Sequence, residues 1–208
     1  MTTPREKPIR FLAPMVRAIL DGRKTQTRRI VQPTPLERGS RTFFYKRGYP
    51  VFIDERRAAI ESCPYGGPGD HLWVRETFSY DRLDIDRDGM LPCWYWADGN
   101  PRRGDWTIPK PSIHMPRWAS RITLRIKSVR VERLQEISEQ DAIAEGVLRS
   151  QRAVSASAAA PAFFDYMLDQ PNYCSARSSY SSLWESINGP GSWEKNPWVW
   201  VLEFERTP

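Results

Sequence analysis

Cysteine, histidine and lysine are scarce in this chain, and each scarcity removes a class of function. Cys63, Cys93 and Cys174 are odd in number and far apart, which argues against a disulfide framework. With only His71 and His114 and no C-x-x-C, there is no ligand set spaced for structural zinc. No apolar run reaches the length of a membrane span. The opening residues MTTPREKPIRFLAPMVRAIL lack the apolar segment of a secretory leader. The expectation is a cytoplasmic protein with no metal, no cofactor and no membrane partner.

Arginine, by contrast, is abundant. Of 31 basic residues only 6 are lysine, and the formal charge is +6. Guanidinium forks suit phosphates and base edges, so the balance favours an anionic partner. Hydrophobic residues at 40% and aromatics at 12% exclude a disordered chain. A chain of 208 residues is expected to form a single domain, 1–208, with room for large insertions.

Pro14 suits the first turn of a helix whose face is Met15, Ala18 and Ile19, closed by Gly22. Residues 32–69 are proline-rich and charged, and are expected to be mainly loop. Gly69-Asp70 introduces HLWVRETF, a strand with Leu72 and Val74 on one side and Trp73 and Arg75 on the other. Residues 79–117 form a tryptophan-rich ordered insertion without steady period. Ser120–Val131 is the clearest strand, with Ile122, Leu124 and Ile126 on one face and Arg121, Thr123, Arg125 and Lys127 on the other. Its apolar phase shifts near Ser128, which predicts a bulge.

Ser138 with Asp141 resembles a capping box, Ile137 with Ala142 sits at staple spacing, and Gly146 ends a helix of about two turns. Residues 148–162 are a low-complexity surface excursion. Tyr180, Leu183, Trp184 and Ile187 share a helical face stopped at Asn188-Gly189-Pro190, and NPWVWVLEFE is a strand near the centre of the sheet. Few helices, several strands and many turns predict an α+β or mainly β barrel fold.

The segment GRKTQTRR, residues 22–29, packs cations and hydroxyls beside a helix end, where cations complement the dipole. It suits a solvated turn, a phosphate clamp or an active site. In a regular strand Lys24 and Thr27 would point to opposite faces, so they meet only if residues 24–27 curl. Glu145 lies in the last turn of its helix, where the dipole disfavours a carboxylate, and so invites a partner such as Lys24.

The pattern G22-x-K24-x-x-T27-x-R29 resembles the signature of the ASCH domain, a small barrel of the PUA-like group. Threonine at position 27, where that signature usually carries an acid, is similar to bacterial N4-acetylcytidine amidohydrolases. The later element ISEQDAIAEG aligns so that Glu145 takes the catalytic glutamate position. Gly69-Asp70-His71-Leu72-Trp73-Val74 and the closing VLEF match that family's strands. The stretches LWVRE, HMPRWASRITL and NPWVWV resemble longer ASCH proteins of phages and prophages. The resemblance covers roughly 100 residues, a typical small-domain core, and leaves insertions near 32–68, 79–117 and 148–178 outside.

The resemblance implies an enzyme in which Thr27 attacks an amide of an N4-acylated cytosine while Lys24 and Glu145 handle protons. The alternatives are a module that binds RNA, DNA or a modified base without turnover, and a metal-free ribonuclease. The expected partner is a nucleoside or nucleic acid, RNA before DNA. Expected binding residues are Arg23, Thr25, Arg28, Arg29, Arg75, Glu76, Arg121, Arg125 and Trp118. The tryptophans of the insertion interleave with Arg102, Arg103 and Lys110, a pattern that suits bases and phosphates, although at least half should serve as core.

Overall fold

The structure of the chain, a computed structural model, describes residues 3–38, 41–47, 49–53, 60–81, 91–101, 104–149, 163–173 and 175–207. Cys174, Arg102, Arg103 and nearly all of the expected excursion at 148–162 lie outside them. The first half holds β1 (Glu6–Arg10), α1 (Ala13–Leu20), β2 (Gln26–Ile30), β3 (Leu36–Arg38), β4 (Arg41–Lys46) and β5 (Tyr49–Phe52). Next come β6 (His71–Arg75), β7 (Phe78–Tyr80), β8 (Cys93–Tyr95) and the long β9 (Thr123–Arg133). The rest is α2 (Glu139–Ala144), β10 (Phe163–Asp165), β11 (Gln170–Tyr173), α3 (Ala176–Asn188) and β12 (Trp198–Arg206). No helix among the described residues is long and apolar enough to cross a membrane.

The fold is α+β. Its main sheet has the order β1-β6-β9-β12-β2, with β1 and β6 parallel and every other pair antiparallel. The expected barrel is not closed. Among the described residues β1 and β2 are the two edges of an open sheet, without a ladder between them. Closing a sheet needs tilt and stagger that bring the edge strands into register. Here a single side-chain bond crosses the gap, from Arg29 Nη2 to the Arg10 carbonyl at 2.6 Å.

Alternation in sequence becomes packing. Leu72, Val74, Ile122, Leu124 and Ile126 are all buried, as are Met15, Val16, Ala18 and Ile19 of α1. Each fully buried large aliphatic side chain contributes about 1.5–3 kcal/mol. The expected bulge lies in β9: Ser128 pairs with Glu203 and Ile126 with Phe204, so Lys127 is the extra residue. Strand β12 lies inside the sheet, with Val199, Trp200, Val201 and Leu202 all buried.

The described part of 32–69, expected to be mainly loop, also holds strands. They form the antiparallel sheet β3-β4-β5, from which Phe44 stands edge-on to Trp200 at 6.0 Å. One inward aromatic amid proline and charge anchors this sheet, and periodicity alone gave it little signal. The 79–117 insertion is ordered as expected where described, around a small core of Phe78, Met115 and Ala119. Helix α2 is capped by Ser138, whose Oγ accepts from Asp141 N at 3.0 Å. The reciprocal half of the box is absent because the Asp141 carboxylate is engaged elsewhere. Glu139 of α2 accepts from Ala176 N at 2.7 Å and Arg177 N at 3.3 Å, so it caps the start of α3.

Candidate active site

The site lies in the gap between the edge strands. After α1, Gly22 takes φ +73, and the Arg23 and Lys24 amides both donate to the Ala18 carbonyl at 2.9 Å. Thr25 N then donates to the Ala144 carbonyl at 2.8 Å, which holds this turn against the end of α2. Gly146, with φ +86, follows Glu145; a Cβ there would stand 2.8 Å from Lys24 Cβ. A side chain at 146 would therefore displace the lysine.

Lys24 Nζ donates to Glu145 Oε2 at 2.7 Å and to the Glu145 carbonyl at 2.8 Å. Arg28 Nη1 donates to the other oxygen, Glu145 Oε1, at 3.1 Å. Arg28 also binds Glu132 at 2.5 Å, Asp141 at 3.2 Å and Gln26 Oε1 at 2.5 Å. Arg130 joins Glu132, Asp141 and Glu203. Lys24, Thr27, Arg28 and Glu145 are exposed by only 4, 3, 3 and 2%, so these charges sit in a nearly dry setting.

Burial lowers the Lys24 pKa below the ordinary lysine value, against the opposing pull of Glu145. Burial would lower Arg28 too, but Glu145, Tyr180 and Glu132 outweigh it and raise its pKa. Burial pushes the Tyr180 phenol well above its usual value. The carboxylates here are matched by Lys24, Arg28 and Arg130, and among the described residues no group of three or more His, Cys, Asp or Glu is placed to hold a metal ion.

Lys24, Thr27, Arg28, Arg29 and Glu145 line one cavity of about 270 Å³, with Phe11, Tyr180 and Trp184 among its walls. The anticipated curl ends early: β2 is already regular at Gln26, and Lys24 reaches the cavity from the turn before it. No hydrogen bond joins the Thr27 hydroxyl to Lys24, whose two side-chain bonds both go to Glu145. A buried lysine–glutamate pair beside a hydroxyl in an aromatic cleft can bind a planar group and move a proton at a neighbouring atom.

Several expected binding residues sit elsewhere. Arg23 pairs with Asp21 at 2.9 Å on the surface, and Thr25 is exposed. Arg75 lines an adjoining cavity. Arg121 forks onto Glu76 at 3.0 and 3.1 Å and onto Asp98 at 2.6 Å, which ties the insertion to the main sheet. Arg125 pairs with Glu205 on the open surface, and exposed Trp118 lies outside the cavity. Trp94, Trp96 and Trp106 are half-buried, and Trp96 Nε1 donates to Ser79 Oγ at 2.9 Å.

Sequence reasoning had assigned no site role to Phe11, Tyr180, Trp184, Gln26, Glu132 or Asp141. The Tyr180–Trp184 helical face was visible as a buried stripe, but periodicity does not tell what a stripe faces. Comparison of the chain with protein-family models, curated proteins and solved structures finds no match.

Proposed function

We propose that the protein is a PUA-like, ASCH-type hydrolase that removes the acyl group from an N4-acylated cytosine. The supporting observation is the buried Lys24–Glu145 pair at 2.7 Å in one cavity with Thr27 and an aromatic wall. Thr27 Oγ1 forms a bond to the amide carbonyl carbon as its proton passes to Lys24. The C–N4 bond then breaks, with that proton delivered to N4. Water cleaves the resulting threonine ester, freeing a carboxylate and restoring the hydroxyl. Arg28 holds the second oxygen of Glu145 at 3.1 Å, which fixes the carboxylate beside Lys24.

Incubation with N4-acetylcytidine, followed by absorbance, tests this reading. Thr27→Ala should lower turnover at least about 10²-fold; near-normal turnover in that variant rejects it. Binding without turnover is the second reading. It is favoured by the absence of a hydrogen bond from the Thr27 hydroxyl to Lys24 or Glu145. Tight binding of cytidine with no deacylation would select it.

A further inference from the structure

A second cavity, about 470 Å³, opens beside the first and is lined by Arg10, Arg29, Arg75, Tyr65 and Gln32 among others. Arg10, Arg29, Ile30 and Asn188 line both, so the two adjoin. Among the described residues no aspartate or glutamate lines the second one. Its arginines have no carboxylate within salt-bridge distance among the described residues. Arg29 donates to the Arg10 carbonyl at 2.6 Å and Arg75 to the Met115 carbonyl at 3.0 Å. The Arg10 side chain is exposed and bonds nothing described.

Buried or half-buried Arg28, Arg121 and Arg130, by contrast, each meet two or more carboxylates. Two of the cavity's three guanidiniums are also held in place: Arg29 lies over Phe11 at 5.0 Å and Arg75 over Trp73 at 4.9 Å. Burial lowers the Arg29 pKa against the opposing pull of Tyr65, Glu145 and Tyr180, and the nearby Arg10 charge adds to the lowering.

We propose that this cavity is a phosphate subsite, so that the substrate is a nucleotide, free or within a strand, and not a bare nucleoside. The proposal rests on the hydrolytic reading for the identity of the base next door. Three guanidinium forks without a paired carboxylate, two of them held in place, match the several acceptor oxygens of a phosphate ester.

Calorimetric binding to cytidine, its 5′- and 3′-monophosphates and a cytidine-centred RNA trinucleotide, in about 0.15 M salt, tests the proposal. At least one phosphorylated ligand should bind about tenfold or more tighter than cytidine. Preference for a monophosphate indicates a free nucleotide, and preference for the trinucleotide indicates a strand. Arg75→Gln and Arg10→Gln should each bring the ratio of phosphorylated to unphosphorylated affinity towards one. Arg10→Gln keeps the backbone carbonyl that Arg29 uses, so it guards against misfolding of the Arg75 variant. Equal affinity for all four ligands, or a ratio unmoved in both variants, overturns the subsite and leaves solvated arginines only. A phosphate-dependent ratio in a wild type that deacylates neither N4-acetylcytidine nor its phosphates overturns the hydrolytic reading alone.

Discussion

Replacing Glu145 by Gln should destabilise the protein in a manner that depends on pH. The substitution keeps shape and removes one negative charge from a side chain that is 2% exposed. Arg28 retains Glu132 and Asp141, whereas Lys24 loses its sole carboxylate partner among the described residues. Breaking one partner of a buried pair costs about 3–5 kcal/mol. The stranded ammonium has an escape, because it can fold as the neutral amine. At pH 7 that route costs at most about 5 kcal/mol, given the ordinary value of 10.5 and about 1.4 kcal/mol per pH unit. A lysine whose folded pKa is depressed binds fewer protons in the folded state, so stability rises with pH up to 10.5. Wild type shares this rise, but losing Glu145, which holds the Lys24 pKa up, extends it in the variant. The loss in Glu145→Gln should therefore shrink by up to about 2.7 kcal/mol between pH 7 and 9. Urea titrations of wild type and variant at both pH values supply the measurement. A loss under about 1 kcal/mol, or one identical at both pH values, would show that the pair does not carry the burial cost ascribed to it.

Gly146→Ala should cost about 1–3 kcal/mol, because its φ is +86 and the new Cβ would meet Lys24 Cβ at 2.8 Å and Ala18 Cβ at 3.0 Å; thermal melts and turnover should fall together, and an unchanged melt refutes it. If neutral Lys24 takes the Thr27 proton, kcat/KM rises with pH and levels off below 10.5, since burial lowers this amine. Lys24→Arg, which cannot release its proton, should abolish the rise, and a flat wild-type profile rejects the role. Arg121→Gln should cost about 3 kcal/mol or more by leaving Glu76, exposed by 2%, without its main partner. It should leave nucleotide affinity unchanged; weakened binding would return Arg121 to the cleft.

The parts of this fold that could be read locally were those governed by period and punctuation. The phase shift near Ser128, the Ser138 cap and the Gly22 and Gly146 stops all depend on neighbours within a few residues. Glu145 could be singled out because a carboxylate at a helix C-terminus conflicts with its local field. Its second partner could not, since Arg28 reaches across 117 residues of sequence and looked like any cation of a wet turn. For the same reason the Lys24–Thr27–Glu145 group would be expected to sit apart from the core, whereas it is among the most buried parts of the chain. The barrel failed to close because pairing between β1 and β2 depends on what fills the space between them. That space is occupied by side chains lining cavities.

Helix α2 has six residues, too few to persist without its surroundings. It ends at the acid of the candidate site, and through Glu139 it also anchors the start of α3, which carries Tyr180 and Trp184. A transient opening of α2 would release Glu145 and the aromatic wall in one event. Amide hydrogens of α2 and of the first turn of α3 should then exchange with solvent as one cooperative unit, at a common free energy below that of global unfolding. Ligand admission and loss of catalytic geometry would be the same motion, and a bound nucleotide would slow exchange in both helices by the same factor.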